Sequence, residues 1–372
     1  MSELDFLYLS EPDMIEAGVL DMPRCVRAVE DAFRLAGTKD YVMGGPSMNS
    51  HGVMLWYPEH SQHDNMPMAG PDRRYMSMIA YLGGRFHVCG QKWYGSNVAN
   101  VSRGMPRSVL MFSLNDAETG VPLSIMSANL LSAMRTGAIP GVATKYLKRE
   151  GAQTAAIIGC GVINHACLLA IAEGLGQVAT VYLYDINEER AEAYARKMRE
   201  KVNAVFVICN SLEEALRDAD VISIATAGKH KVEIKKEWLK KGALLTVTGT
   251  ACLPEEMYLN NKIVMDIFEM HKDWLAEGKM HPDGIDSIRE WASSYDLLRL
   301  YENGKLKEER ITDLGDVVAG KVHPRETDDE TILLIVGGLP IEDVAWGHDV
   351  YRSAVEKGLG QKLKIWDSPH WF

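Results

Sequence analysis

Two glycines separated by one residue stand at the end of an apolar run, in a pattern that can bind a dinucleotide. The segment reads "TAAIIGCGVINHACLLAIAEG", so Gly159 and Gly161 follow a predicted strand and open a predicted helix. Gly159 permits a tight turn, and Gly161 lets the backbone approach a pyrophosphate. The helix start, with Val162 and Ile163 as its first residues, offers free N–H groups to the phosphates. A buried strand, turn and helix without any ligand is the alternative.

An acidic residue closes the next predicted strand, "TVYLYD". Asp185 lies 24 residues after Gly161, the spacing of a carboxylate that accepts hydrogen bonds from the ribose hydroxyls. A carboxylate there would repel a ribose 2′-phosphate, so the sequence favours NAD(H) over NADP(H); a solvated strand end is the alternative. Asn164 holds the third loop position, where Gly or Ala is usual, and we expect it to reduce the closeness of helix and strand. Thr226 and Gly249, near the ends of two later strands, are assigned to the same cofactor site.

Lys92 is a candidate for proton transfer. It lies in "GQKWYG", next to Trp93 and Tyr94, and an apolar setting can lower the pKa of a lysine ammonium enough for acid–base chemistry. A surface lysine whose stem packs on the aromatic rings would give the same pattern. The residues alone favour that second interpretation.

The elements that must position these residues fall into three parts. Residues 1–128 combine a predicted helix, "MPRCVRAVEDAFRLAG", with short apolar runs, and "NDAETG" predicts a hairpin turn. From 129 to 318, a helix that Pro140 must bend or restart precedes about six apolar strands, which alternate with helices. That alternation predicts a doubly wound parallel sheet. Residues 319–372 are helical around "IEDVAWGHDVYRSAVEKGLG" and too few for a separate domain.

The bulk composition excludes several classes of protein. Net charge is −11, with 40 Lys and Arg against 51 Asp and Glu, and nucleic acids or anionic membranes require a basic face. The N-terminus does not read as a secretory signal, and no apolar run is long enough to span a membrane. The six cysteines are scattered, so we expect reduced thiols in a cytoplasmic protein and no metal site.

Several motifs in fixed order resemble the ornithine cyclodeaminase/μ-crystallin family. They are "GQKWYGSN" with "GMPRS", "NDAETGVPLSIM" with "LLSAMRTGAIPGVA", the glycine loop, "DADVISIATA", "LGDVVAG" and "RETDDETILLIVGG" with "PIEDVA". The resemblance implies an α/β fold in which a Rossmann-type domain, 129–318, is inserted in an α+β substrate-binding and dimerisation domain, 1–128 plus 319–372. It also implies a homodimer that uses a nicotinamide cofactor.

The family includes cyclodeaminases, alanine dehydrogenases, ketimine reductases and dehydrogenases of N-substituted amino acids. The step that they share is hydride transfer at C2 of an amino acid, through an imine. The resemblance makes Lys92 the active-site lysine. It makes Arg135 the cation for the substrate carboxylate, with an interdomain salt bridge as the alternative, and it places Thr136 at the cofactor phosphate. Asn97 and Asn100 are expected to shape the pocket.

The sequence departs from the family pattern at three places. The stretch "GGPSMNSHGVMLWYPE" lacks the usual upstream arginine, which Arg73 or Arg74 would replace unless they form a solvated turn. The acid that follows the strand-end glycine in cyclodeaminases is absent from "VTGTACLPEEM", where no carboxylate occurs before Glu255. Ile163 and Ile335–Val336 replace residues that usually make polar contacts, so we expect fewer such contacts with the cofactor.

The sequence therefore predicts an NAD-dependent oxidoreductase that acts at C2 of an amino acid or its imine. An ornithine cyclodeaminase, which converts L-ornithine to L-proline and ammonia, is the alternative among enzymes, and the missing acid weighs against it. A non-catalytic nucleotide-binding protein is the alternative from another class. The presence of both Lys92 and Arg135 weighs against that third interpretation.

Overall fold

The structure is a computed structural model that describes residues 3–226 and 231–371. The strands are β1 Leu4–Leu9, β2 Tyr41–Met43, β3 Val53–Trp56, β4 Arg74–Leu82, β5 Val88–Ser96, β6 Ser108–Asp116, β7 Pro122–Ser127, β8 Thr154–Ile158, β9 Thr180–Tyr184, β10 Val205–Ile208, β11 Val221–Ile224, β12 Val232–Glu233, β13 Leu244–Val247, β14 Ala251–Cys252, β15 Lys262–Met265, β16 Ile311–Asp313, β17 Ile332–Ile335 and β18 Gln361–Trp366. The α-helices are α1 Glu11–Glu16, α2 Met22–Thr38, α3 Asn129–Leu147, α4 Val162–Leu175, α5 Glu188–Arg199, α6 Leu212–Leu216, α7 Glu255–Asn260, α8 Phe268–Met280, α9 Tyr295–Glu302, α10 Leu314–Val318 and α11 Pro340–Lys357.

The chain divides into two compact units. Unit 1 comprises Met1–Asp21, Asp40–Ser132 and Leu339–Phe372, and unit 2 comprises Met22–Lys39 and Ala133–Gly338. Helix α2 thus groups with unit 2, although the sequence assigned it to the first part. The domain limits 1–128 plus 319–372 and 129–318 remain a proposal.

Unit 1 is built on a mixed sheet with the order β18-β1-β7-β6-β5-β4-β2, and β3 also pairs with β4. The predicted hairpin is confirmed, because β6 and β7 pair antiparallel around a turn in which Asp116 accepts from the Thr119 N–H at 2.8 Å. Helix α11, predicted from the sequence, packs on one face of this sheet. Gly90 and Gly347 permit its close approach, since a Cβ on either would fall within 2.6 Å of Phe112. The sheet fixes the register of Lys92.

Unit 2 contains an eight-stranded sheet with the order β10-β9-β8-β11-β13-β17-β15-β16, in which all pairings are parallel. The Rossmann-type prediction is therefore confirmed. All six predicted strands are present; residue 227, the last of the segment predicted as the fourth strand, lies outside the described residues. The count of about six was too low, because β16 and β17 also join the sheet. Four neighbouring strands, β8, β11, β13 and β17, are almost wholly buried, which explains their continuous apolar sequences.

Helix α3 runs without a break through Leu147, so it does not restart at Pro140; the other expectation, a bend at Pro140, stays a prediction. The proline removes one backbone donor, but close packing against α4 holds the helix together. A Cβ on Gly137 or Gly141 would lie 2.4 Å from Ala166 or 2.6 Å from Ala170. The Thr144 hydroxyl donates to the Pro140 carbonyl at 2.7 Å. No helix among the described residues is long and apolar enough to cross a membrane.

Candidate active site

The glycine loop joins the carboxyl end of β8 to α4, at the point where the strand order of the unit 2 sheet reverses. In doubly wound sheets this is the position of the ligand crevice. Gly159 has φ of +87°, a conformation that favours glycine, and its absent Cβ would lie 2.9 Å from Thr226. Gly161 is the N-cap of α4, and nothing lies within 4 Å of the position that its Cβ would take. The loop is thus open where a phosphate must approach.

Asn164 does more than replace a small residue. Its side chain is fully buried, and its amide donates to the carbonyls of Ile158 at 2.9 Å and Gly159 at 2.6 Å. Its Oδ1 atom accepts from Ser223 on β11 at 2.7 Å. The asparagine therefore fastens α4 to the ends of two strands, and hydrogen bonds replace the close packing that a third glycine provides.

Asp185 follows β9 and reaches back to the glycine loop. Its carboxylate accepts from the Cys160 N–H at 2.8 Å and from the Asn187 N–H at 2.9 Å. Burial, and then the Asp185 charge, raise the pKa of the Cys160 thiol to about 12, so this thiol is neutral between the two glycines. Val162 and Ile186 flank the loop with 73% and 91% of their surface exposed, which leaves apolar surface available to a nucleotide base.

Thr226 and Gly249 lie at the same edge of the sheet. The Thr226 hydroxyl donates to the Thr250 carbonyl at 2.8 Å, and a Cβ on Gly249 would lie 2.4 Å from the Thr226 carbonyl. The structure therefore brings Gly159, Thr226 and Gly249 together. The open loop, the helix start and Asp185 fit a dinucleotide with free ribose hydroxyls.

Lys92 is buried on β5, with 2% of its side chain exposed, and forms an ion pair with Asp343 on α11. The Lys92 Nζ atom lies 2.8 Å from Asp343 Oδ2 and 3.2 Å from the Ser132 hydroxyl. Sequence reasoning missed Asp343. The one feature of the sequence that pointed to Asp343 was an acidic pair in the first turn of an otherwise apolar helix start, "PIEDVA". The other member of that pair, Glu342, caps the helix by accepting from the Leu339 N–H at 3.1 Å. The surface alternative for Lys92 does not describe this lysine.

Arg135 and Thr136 lie in α3, and Arg135 is 4% exposed. Its Nη1 atom lies 2.6 Å from the position that a Cβ on Gly338 would occupy, and Gly338 has φ of +83°. Only glycine therefore fits beside this guanidinium.

A buried polar network, absent from the sequence prediction, holds the turn that carries Gly338. Asp266 accepts from the Gly337 and Gly338 N–H groups, both at 2.7 Å, and from His271 at 2.7 Å. Ser294 lies 2.8 Å from the other ring nitrogen of His271. All three side chains are inaccessible to solvent, so we assign them to the turn and not to catalysis. Burial opposes ionisation of Asp266, yet His271 and the two amides hold its pKa below the usual value.

The two candidate arginines have different surroundings. Arg73 donates to the Met68 carbonyl at 2.9 Å and lies over the ring of Tyr57. Arg74 begins β4 and pairs with Asp72. Asn97 caps a 3₁₀ helix at 98–103 by accepting from the Ala99 N–H at 3.0 Å, which already gives it a structural role.

The segment after Gly249 places no carboxylate where a cyclodeaminase has one. Ala251 and Cys252 form the short strand β14, and Glu255 starts α7. The Glu255 carboxylate is about half exposed and pairs with Lys305 at 2.9 Å. Among the described residues, no group of His, Cys, Asp and Glu side chains is arranged to hold a metal ion.

Comparison with known proteins gives concordant results. The sequence profile described as the Ornithine cyclodeaminase/mu-crystallin family matches residues 20–358. The N-((2S)-2-amino-2-carboxyethyl)-L-glutamate dehydrogenase of Staphylococcus aureus is 28% identical over 97% of this chain and 99% of its own. An archaeal alanine dehydrogenase dimer with bound NAD superposes with a TM-score of 0.78 at 25% identity, covering 98% of this chain and 100% of that one. The Thermococcus litoralis Δ(1)-pyrroline-2-carboxylate reductase, solved with NADH and L-proline, gives 0.78 at 26% identity, with coverages of 96% and 100%.

Proposed function

Because the chain belongs to the ornithine cyclodeaminase/mu-crystallin family, we propose that it is an NAD-dependent oxidoreductase acting at C2 of an amino acid or its imine. The observation that carries the proposal is the buried Lys92–Asp343 pair. A buried ion pair is costly to build and often neutral for stability, so its presence supports a chemical role. The relatives that superpose on nearly the whole chain were solved with NAD or NADH, which supports the cofactor.

The proposed reaction removes a hydride from C2 and a proton from the amine, which leaves an imine; the reverse reaction reduces the imine. Bound NAD would supply the hydride acceptor at C2. Lys92 exchanges the proton of the substrate nitrogen, and the Asp343 carboxylate stabilises the protonated form of the lysine. Arg135 binds the substrate carboxylate through its guanidinium fork. Arg73, Arg74 and Asn97 are the proposed residues for the rest of the substrate.

The cofactor would be held by the residues of the glycine loop and its neighbours. In this proposal, Gly159, Gly161, Val162 and Ile163 provide backbone contacts to the pyrophosphate, and Asp185 binds the ribose hydroxyls. The set is completed by Thr136, Thr226 and Gly249.

The test is a panel of L-amino acids, and of 2-oxo acids with amines, followed at 340 nm with NAD or NADH. We expect steady absorbance change with at least one substrate. Proline formation from L-ornithine without net change at 340 nm would identify a cyclodeaminase instead. Binding of NADH with no turnover of any member would support the non-catalytic alternative. We expect little proline, since neither Ala251 nor Cys252 can accept a proton from the distal amine at neutral pH.

The protein is also proposed to be a homodimer, as the archaeal alanine dehydrogenase is. The face of the unit 1 sheet opposite Lys92 exposes apolar side chains, which a second copy would cover. These side chains are Val53, Leu55, Tyr75, Ile79 and Val109.

A further inference from the structure

Two arginines and one aspartate form a cluster at one end of the unit 1 sheet, which we call the arginine corner. Arg74 begins β4, Arg107 precedes β6, and Asp72 lies between them in the ion-pair network. Arg107 Nε lies 3.2 Å from Asp72 Oδ2, and the Ser96 hydroxyl donates to the same oxygen at 2.6 Å. The corner therefore carries two positive charges against one negative charge.

The strand register places Arg74 on the same sheet face as Lys92. Lys92 pairs directly with Met78, and Arg74 pairs with Ser96 and with Trp56. Residues that pair across strands point to the same side, and alternate residues along a strand do so too. Arg74 is four residues from Met78 on β4, so its side chain lies on the same face as that of Met78. Met78 pairs with Lys92, so the side chains of Arg74 and Lys92 project from one face.

The guanidinium of Arg74 lies close to two aromatic side chains. Its Nη2 atom lies 3.5 Å from the Tyr94 hydroxyl, and its Cζ atom lies 5.3 Å from the centre of the Trp56 ring. Tyr94 is two residues from Lys92 on β5, so the two side chains lie on the same face of the sheet. Tyr94 lies on β5 between Lys92 and Ser96, the residue that pairs with Arg74, so one small molecule on this face can place a nitrogen at Lys92 and an anionic group at Arg74.

The corner has more hydrogen-bond donors than acceptors. Each guanidinium carries five N–H groups, while Asp72 offers two oxygens and also receives the Ser96 proton. The Nε atom of Arg74 is buried and has no acceptor among the described residues, and 16% of the whole side chain is exposed. The accessible part of the side chain can donate to an incoming carboxylate, which would supply acceptors that Asp72 lacks.

We propose that Arg74, supported by Arg107, binds a second carboxylate of the substrate, so that the substrate is a dicarboxylic amino acid or the corresponding imine. This inference rests on the proposed function, which assigns Lys92 to the substrate nitrogen and Arg135 to the carboxylate at C1. The inference gives the two neighbouring arginines different roles. Arg74 binds the substrate, whereas Arg73 donates to the Met68 carbonyl and stacks on Tyr57.

Binding of unreactive acids to the full-length protein with saturating NADH tests the inference by calorimetry. Glutarate and pentanoate have the same chain length and differ in one carboxylate. We expect the unmodified protein to bind glutarate more tightly than pentanoate. Arg74→Gln should weaken the affinity for glutarate by about 10- to 100-fold and the affinity for pentanoate by less than about threefold. Arg74→Lys should retain part of the glutarate affinity that Arg74→Gln loses. Arg107→Gln should also weaken glutarate binding, but by a smaller factor.

Arg103→Gln is the matched control, because Arg103 is an exposed arginine of the 98–103 helix. It should leave both affinities unchanged, and melting temperatures should show that each variant is folded. Equal losses for both acids in Arg74→Gln would show that Arg74 serves a carboxylate common to all substrates, which overturns the proposal. The same holds if the unmodified protein does not prefer glutarate, or if Arg73→Gln alone abolishes the preference.

Turnover separates this inference from the proposed function. The ratio of kcat/KM for L-glutamate to that for L-norvaline should fall by about tenfold or more in Arg74→Gln. Selective glutarate binding that depends on Arg74, without turnover of any amino acid or imine, would retain the anion site and reject the proposed function. Turnover with an unchanged ratio would retain the function and reject the site.

Discussion

Lys92 and Asp343 are 251 residues apart in the chain and meet inside unit 1, where neither side chain is more than 2% exposed. Removing one partner of such a pair leaves a buried charge uncompensated, at a cost of about 3–5 kcal/mol. Each partner is therefore tied to the other structurally as well as chemically. A variant of either must be tested for folding before a loss of activity is interpreted.

We expect Lys92→Ala and Asp343→Asn each to lower kcat by about 10²–10⁴-fold while NADH still binds, because the proposed function assigns both residues to the substrate proton and neither to the cofactor. Stopped assays at 340 nm and NADH fluorescence titration measure the two effects. Asp349→Asn is the control, since Asp349 lies on the same helix but pairs with Arg85 at 2.7 Å. Near-normal kcat in Lys92→Ala would reduce the lysine to a structural role.

We expect the cofactor preference to depend on Asp185. The unmodified protein should bind NAD(H) at least about tenfold more tightly than NADP(H), because a carboxylate repels a 2′-phosphate. Asp185→Ser should narrow that gap, as measured by titration with both reduced cofactors. Glu188→Gln, which removes a carboxylate from the first turn of α5, should not change it. Equal affinity of the unmodified protein for both cofactors would remove the assignment of Asp185 to the ribose.

The sequence predicted those residues that belong to a local motif. The glycine loop and Asp185 occur at characteristic spacings, and Lys92 and Arg135 lie in short family motifs. Asp343, and the Asp266–His271–Ser294 network, could not be predicted because their partners are brought together only by the fold. Arg73 and Arg74 were equivalent in the sequence, and the contacts of each now separate them.

At the scale of elements, the segment from β17 to α11 shows what the sequence did not indicate about the third part of the chain. The run "ILLI" completes the parallel sheet of unit 2, and α11 then packs on the sheet of unit 1. The change of unit occurs at Gly338–Leu339, after the turn that Asp266 holds. A four-residue apolar run gives no indication of which sheet it will join, whereas the longer alternation of strands and helices before it gave the fold class correctly.

The junction between β8 and β11 depends on Asp220, which gives a prediction about pH. Its carboxylate accepts from Arg149 at 2.8 Å, from Lys240 at 2.6 Å and from the Gln153 and Thr154 N–H groups. Burial alone would raise the pKa of Asp220, but these donors hold it well below the usual value. A carboxyl group whose pKa is lowered by folding stabilises the fold above its unfolded pKa, about 3.9, and loses that contribution as the pH falls.

Asp220→Asn should therefore reduce the free energy of unfolding by about 3–5 kcal/mol at pH 7. The deficit should stay constant down to about pH 5 and shrink below about pH 4, where the unfolded chain of the parent protein takes up the proton. Urea unfolding at several pH values measures it. The exposed Asp218→Asn is the control. A deficit that grows on acidification would contradict the assignment.

For the whole molecule, the net charge of −11 makes two copies repel each other, so we expect self-association to depend on apolar surface. The sheet of unit 1 alternates strictly in β4, where Met76, Met78, Ala80 and Leu82 are buried while Tyr75 and Ile79 are 41% and 49% exposed. The exposed residues of β3 and β6 extend the same face through the cross-strand pairs. One side of this sheet thus forms the core, and the other is apolar without being buried.

We expect this exposed face to be the homodimer interface, so that the protein sediments at about twice 41.4 kDa. Ile79→Lys, and independently Val109→Lys, should lower the measured mass to that of the monomer. Each substitution would bury a lysine charge in an apolar contact, and the twofold symmetry of the dimer would place two such charges in the interface. Val205→Lys is the matched control, since Val205 is 63% exposed on β10 in unit 2. Analytical ultracentrifugation across a hundredfold range of concentration measures the equilibrium. A parent protein that is monomeric throughout would reject the dimer, and a dimer that survives both substitutions but is lost in Val205→Lys would move the interface to the sheet of unit 2.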